Sequence, residues 1–370
     1  MIEIIKNWYK KYGTDPQVVI LFVFLLAGFV LVATIGKMLA PVIAAIVIAY
    51  ILEGLISGLE RFRVTRNIAL VAVFSLFVAA LLSFFIFLLP MLSKQFVTML
   101  QELPMLLANG QKQLMQLPGR YPEIISQQQV SQFVNFLKTE ITLLGQYILS
   151  ISLASVRGII TLVVYLVLVP LLVFFFLKDK QGIIEWFKRL LPANTGLASE
   201  VWQDVNRQIA NYMRGKIWEI AIVWTASYLL FTFLGLKFTA LISLAVGLSV
   251  IAPYIGATVM FFPVALVAFF QWGFSPEFTW LVVSYLVLQA LDGNLLAPLL
   301  LSGVVNLHPV ATIVALLIFG GIWGAWGLFF AIPLATLVHS VLKTWIRYIK
   351  ARKASEENSA LSAIPGQRNE

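Results

Sequence analysis

Near the C-terminal end of an almost uninterrupted apolar stretch, a carboxylate sits beside a helix breaker, in Gln289-Ala290-Leu291-Asp292-Gly293-Asn294-Leu295-Leu296-Ala297-Pro298. An ionised aspartate inside a bilayer costs about 2.5 to 3.5 kcal/mol on insertion scales, so its presence argues for a use. The chemistry open to it is to hold a cation, a proton or a substrate hydroxyl. Asn294 and Gln289 are hydrogen-bonding groups within the same stretch. Asp-Gly-Asn also caps a half-helix, and Pro298 starts another turn. Cap and site are compatible, because half-helix ends can point at a substrate or ion.

Ile251-Ala252-Pro253-Tyr254-Ile255-Gly256-Ala257 is a second interruption. Proline removes a backbone donor and frees the carbonyl four residues earlier, while Gly256 permits close approach. Tyr254 offers a hydroxyl to a solute, and Pro253, Gly256 and Gly293 shape the irregular backbone. Arg214, Lys216 and Glu219 cluster where the fifth apolar segment begins and read as a cytoplasmic gate. Glu219 and Glu53 lie near predicted cytoplasmic ends, where a side chain can reach water. His308 precedes Pro309 at the mouth of the last segment, where it can cap a helix or handle a proton.

The elements that must position these groups are helices in a membrane. Of 370 residues, 60% are hydrophobic and 12% charged, whereas a soluble domain carries about 25% charged residues. Windows of roughly twenty apolar residues mark eight spans: Val18–Gly36, Met38–Leu59, Ile68–Leu89, Ile159–Leu177, Ile217–Gly235, Thr239–Phe270, Phe278–Leu300 and Val310–Trp345. The sixth is punctured by Pro253, Gly256 and Pro263, the eighth by several glycines and Pro333. Each therefore reads as a broken or re-entrant helix. The class is all-α, a polytopic membrane protein with about eight transmembrane helices.

Charge orients it. Most of the 26 Lys and Arg fall before span one, between spans two and three, between four and five, and after span eight. With even parity, that places both termini in the cytoplasm. The net charge of +9 is topological, meets anionic lipid head groups and does not call for nucleic acid. In this scheme loop 271–277 is cytoplasmic yet carries no Lys or Arg; a re-entrant sixth span would turn it outward. If span seven crosses from inside, Asp292, roughly 20 Å from Phe278, lies beyond the midplane toward the outer face.

The chain divides into residues 1–90 (three transmembrane helices), 91–155 (an external amphipathic helical insert), 156–353 (a transmembrane core with a cytoplasmic helical loop, 178–215) and 354–370 (a disordered cytoplasmic tail). In the insert, Phe96, Met99, Leu100, Leu103 and Leu107 recur at helical spacing. In the cytoplasmic loop, Ser199 is a candidate cap for a helix whose Val201, Val205, Ile209 and Tyr212 form one face.

Enzyme signatures are missing from the sequence. It holds no phosphate-binding Gly-rich loop with Lys, no His-Glu-x-x-His and no Gly-x-Ser-x-Gly. The absence of cysteine removes disulfides, thiolate metal sites and cysteine nucleophiles. Two histidines, His308 and His339, are separated by a span. No enzyme, no metal and no cofactor is expected, beyond a coupling proton or sodium ion.

Taken in order, Pro41 to Tyr50, Pro90 to Gln95, Pro170 to Asp179, Arg214-Gly215-Lys216, Pro253-Tyr254-Ile255-Gly256, Leu291 to Pro298, Leu307-His308-Pro309 and Gly324 to Pro333 resemble the autoinducer-2 exporter family of bacterial permeases, in its PerM-like branch. The resemblance implies an eight-span bacterial inner-membrane protein, homo-oligomeric, exporting a small molecule such as the furanone-type autoinducer-2. Other members of the family resemble sodium or lithium/proton antiporters. Lys216 departs from the commoner Arg-Gly-Gln pattern, and Ala252 from Ile-Pro-Tyr.

The expectation is a permease for a small polar solute, its site made by the broken sixth and seventh spans and the start of the eighth. Cation/proton antiport is the alternative within transport. A membrane scaffold that binds partners or lipid through the insert is the alternative outside it.

Overall fold

The computed structural model describes residues 16–116, 118, 126–132, 134–136, 139–140, 143, 155–190, 196–253, 255–301 and 308–362. These are helical, with no strand among the described residues. Six helices among them are long and apolar enough to cross a bilayer, against eight expected. The fourth window falls in a bent pair of helices, Leu162–Lys178 and Lys180–Trp186, which makes seven if counted as one span. Helix α1 (Pro16–Arg61) runs unbroken through both of the first two windows. Windows six and eight each hold two helices rather than one.

The chain folds as two compact units. One comprises Leu55–Leu171 and Arg214–Ser302. Its helix α2 (Arg66–Ser83) passes through a π-helical turn, Phe84–Leu88, and continues as α3 (Leu89–Met115). The third span and the start of the insert are thus one rod of 50 residues. Helices α7 (Thr239–Ser249) and α8 (Ile255–Trp272) follow, and then α9 (Pro276–Leu291), which a π-helical turn at Asp292–Leu296 joins to Ala297–Leu300.

Helices α7 and α8 form a hairpin. Pro253 cannot donate to a helical ladder and disfavours helix at the residue before it, so the chain turns over residues 250–253. Gly256 then lies against the Ser249 carbonyl, where a Cβ would collide with backbone. At the other end, Gln271 bonds to Gly235 and Lys237, so the exit of α8 lies beside the entrance of α7. Eleven residues of helix α7 rise only about 16 Å, half of a hydrocarbon core of about 30 Å. Helix α7 by itself is therefore too short to cross, whereas α8, at 18 residues, is long and apolar enough to do so.

Helix α3 packs along the hairpin. Gln95 Oε1 accepts from the Leu241 N–H at 3.1 Å, satisfying an otherwise orphaned donor in the first turn of α7. Glu102 pairs with Lys237 at 2.6 Å, and Gly110 lies under the Phe270 ring. Leu106 is buried on the insert's apolar face and joins a core with Phe238, Ile242, Val264 and Phe270. Further along the insert, Ser126 and Gln129 close a reciprocal capping box, at 3.0 and 3.2 Å.

The other unit comprises Met1–Gly54, Leu172–Met213 and Gly303–Glu370. Helix α4 (Ser155–Lys178) bends by 78° at Asp179 into α5 (Lys180–Leu190). Lys180 pairs there with Glu53 at 2.9 Å. Helix α6 (Gly196–Phe233) starts three residues before Ser199, which lies inside the helix instead of capping it. Its Val201, Val205 and Tyr212 are buried, as their spacing predicts.

Helix α10 (Pro309–Ser362) is bent back on itself at Gly324, whose φ of 61° and ψ of −135° suit only glycine. Gly327 lies against the Phe319 carbonyl, and Leu328 against Gly320. Ala315, Leu316 and Ala331 pack between the arms, so the last window is also a helical hairpin. The helix runs on through Ser362, into a segment expected to be disordered. Good helix formers fill Ala351–Ser362. Residues 363–370 lie outside the described residues.

Candidate functional site

Two antiparallel helices build the site within the unit of Leu55–Leu171 and Arg214–Ser302. The Phe231 and Tyr285 rings stack with centroids 6.5 Å apart. At the opposite end, a Cβ on Gly215 would lie 2.6 Å from the Leu300 carbonyl oxygen. These contacts fix the register of α6 against α9. One turn below Phe231 is Ser227, and one turn beyond Tyr285 is Gln289, so these two share a level. A further turn reaches Val223 and Asp292, followed on α6 by Glu219 and Lys216.

This seam is buried and polar. Lys216 Nζ bonds Glu219 Oε2 at 2.8 Å, with side-chain exposures of 1% and 3%. Asp292 is 9% exposed, and both Lys216 and Glu219 act on it electrostatically. Its Oδ1 has no hydrogen-bond partner, nor do Gln289 Oε1 and Nε2 or Ser227 Oγ, and all four atoms are sealed from solvent. Unsatisfied buried polar atoms are rare and costly, and a cluster of four along one helix interface calls for an explanation. Tyr285 is committed, its hydroxyl donating to the Ala257 carbonyl at 2.9 Å in the first turn of the hairpin helix α8.

The structure rearranges the residues expected from sequence. Lys216 and Glu219, assigned to a gate at the water interface, are buried, whereas Arg214 stays exposed. Gly293, Asn294 and Pro298 are exposed. Asn294 Nδ2 donates to the Ala290 carbonyl at 2.8 Å, tending the backbone ladder where the π-helical turn disturbs it. Pro253 and Gly256 form the hairpin turn, and Tyr254 lies outside the described residues. His308 belongs to the other unit, where its Nδ1 accepts from the Val310 N–H at 3.3 Å and caps α10.

The hairpin returns the chain to the Phe233 end of α6, so α9 runs back toward Arg214 and Asp292 lies nearer that end. Ser227 and Tyr285 went unnoticed in the sequence. Their signal was the spacing Tyr285, Gln289, Asp292 along one helix face and Lys216, Glu219, Val223, Ser227, Phe231 along another.

The sequence profile described as AI-2E family transporter matches residues 19–347. The chain belongs to the AI-2E transporter family. It is 42% identical to PerM of Escherichia coli (strain K12), whose name proposes a permease, over 93% of this chain and 98% of that protein. It is 26% identical to YueF of Bacillus subtilis (strain 168), whose name proposes a transport protein, over 92% and 94% of the two chains. A Thermotoga maritima relative named in the same way is 20% identical over 92% and 97%. Family and apolar helices agree on a multi-pass membrane transporter. The family points to transport rather than catalysis.

Proposed function

We propose that this AI-2E family transporter moves a small polar solute, of the size and hydroxyl content of autoinducer-2, across the bacterial inner membrane, with the α6/α9 seam as the site of passage. The observation that carries this reading is the cluster of partnerless buried atoms on Asp292, Gln289 and Ser227 beside the Lys216–Glu219 pair. Hydroxyls and carbonyls of a solute fit such a mixture of donors and acceptors.

The hairpin geometry supports an orientation. With the basic segments at residues 61–66, 178–216 and 343–353 in the cytoplasm, the α7/α8 hairpin opens outward, and its uncharged loop 271–277 no longer conflicts with the charge rule. Asp292 then lies in the cytoplasmic half of the membrane. Both termini remain cytoplasmic.

Flux of labelled autoinducer-2 in proteoliposomes tests the assignment. Asp292→Asn should abolish flux at unchanged expression and particle size; wild-type flux in that variant would remove Asp292 from the site. A second reading, sodium or lithium/proton antiport, is favoured by the charge count of the seam, two carboxylates to one ammonium. It requires that sodium or lithium dissipate a preformed pH gradient.

A further inference from the structure

We propose that Asp292 is the proton-carrying group of the seam, taking up and releasing one proton per transport cycle while Glu219 stays paired with Lys216. This rests on the seam being the transport site and specifies its coupling ion.

The charge inventory comes first. Lys216 and Glu219 are in direct contact at 2.8 Å and buried together, which makes them a neutral pair. Asp292 is the third charge, within electrostatic range of both, and it leaves the cluster one negative charge in excess. An uncompensated charge in a low-dielectric interior is expensive, and a buried carboxylate escapes the cost by binding a proton. Of the elements packed on α9, hairpin helix α8 carries no ionisable side chain between Ile255 and Trp272. On α9 itself Tyr285 has its hydroxyl bonded to Ala257. Lys216 is the cation that faces Asp292, and Glu219 holds it.

Hydrogen-bond chemistry points the same way. A carboxylate only accepts, whereas a carboxylic acid also donates, so a residue that alternates between them needs neighbours able to do both. Gln289 lies three residues before Asp292 on the same helix face, and both its amide atoms are buried without partners. Its Nε2–H suits the carboxylate and its Oε1 suits the acid. Ser227, level with Gln289 on α6, has a hydroxyl of the same dual character, also buried and partnerless. A metal ion is served poorly by comparison, because Glu219 Oε2 is taken by Lys216. No group of three or more His, Cys, Asp or Glu able to hold a metal occurs among the described residues.

Protonation forms one O–H bond at Asp292 Oδ1 at the expense of hydronium, and release returns the proton to water on the other side.

The test is an infrared titration of the full-length protein in lipid nanodiscs, without solute. Beyond the background from the chain's other Asp and Glu, wild type should show a distinct carboxylic C=O component of a buried acid that grows on acidification and shifts in D2O. It should be absent in Asp292→Asn and retained in the double variant Lys216→Met/Glu219→Met. Gln289→Leu, which leaves Asp292 in place, should keep the band and move its frequency by removing a hydrogen bond. Persistence in Asp292→Asn, loss in the double variant, or an unmoved band in Gln289→Leu would overturn the proposal. Flux without the band sinks the proton assignment alone; the band without flux sinks only the solute reading.

Discussion

Gln271 clasps Lys237 across the mouth of the α7/α8 hairpin, its Oε1 accepting from the Lys237 N–H at 2.8 Å while its Nε2 donates to the Gly235 carbonyl at 2.8 Å. One side chain thus satisfies both a donor and an acceptor of the loop through which the chain entered the hairpin. Entrance and exit are held on the same side. The neighbouring Lys237–Glu102 pair adds little by itself, since both groups are about a third exposed, but it ties the same loop to α3.

The clasp predicts the sidedness of labelling. The natural chain has no cysteine, so single cysteines can be introduced without background. Phe233 and Phe274 are 89% and 59% exposed and flank the hairpin. Cysteines at the two positions should react with a membrane-impermeant maleimide from the same face of intact vesicles. Labelling from opposite faces would mean that the sixth window crosses the membrane, and the re-entrant assignment would fail.

The buried pair predicts a strongly non-additive double mutant. Lys216→Met leaves Glu219 buried without its cation, and removing one partner of a buried ion pair costs about 3 to 5 kcal/mol. Lys216→Met/Glu219→Met removes both charges and should cost less than that single variant. Unfolding in mixed micelles measures this; equal or additive losses would show that the pair is not a coupled unit.

Glycine substitutions separate packing from passage. Alanine at Gly256 or Gly327 would drive a Cβ into the Ser249 or Phe319 carbonyl and should lower thermal stability by a few kcal/mol, on the order of other overpacking changes. Gly293 has open space around it, so Gly293→Ala should fold at least as well as the natural chain. A melting temperature for Gly256→Ala equal to wild type would argue against the tight hairpin turn. Loss of flux in a stable Gly293→Ala would support a role for that position in the solute path.

Much of this architecture was legible along the chain. Long apolar windows announce membrane helices because every backbone polar group must be satisfied inside its own segment. Pro253 and the glycines around Gly324 marked the interruptions, and Asp292 stood out because a carboxylate is expensive among leucines. The amphipathic insert showed its apolar face by helical spacing, with Leu106 as the residue that the pattern passed over. What could not be read was the fate of each interruption. A proline break is compatible with a kinked crossing or a hairpin, and the choice depends on Gln271 and Gly256 meeting residues 36 and seven positions away along the chain.

The sequence by itself determined that this protein is a helical membrane transporter of the AI-2E type with a buried acid, since hydropathy, charge placement and ordered motifs are local properties. Only the tertiary structure decided the surroundings of that acid. Once the hairpin returns α9 antiparallel to α6, Asp292 comes within electrostatic range of a lysine and a glutamate more than seventy positions earlier, and residues expected as separate features lie along one polar seam. The reason is physical: along a single helix the spacing of residues sets which face they share, but the partner across the interface is set by the register of two helices, and that register is fixed by contacts such as Phe231 on Tyr285 and Gly215 on Leu300.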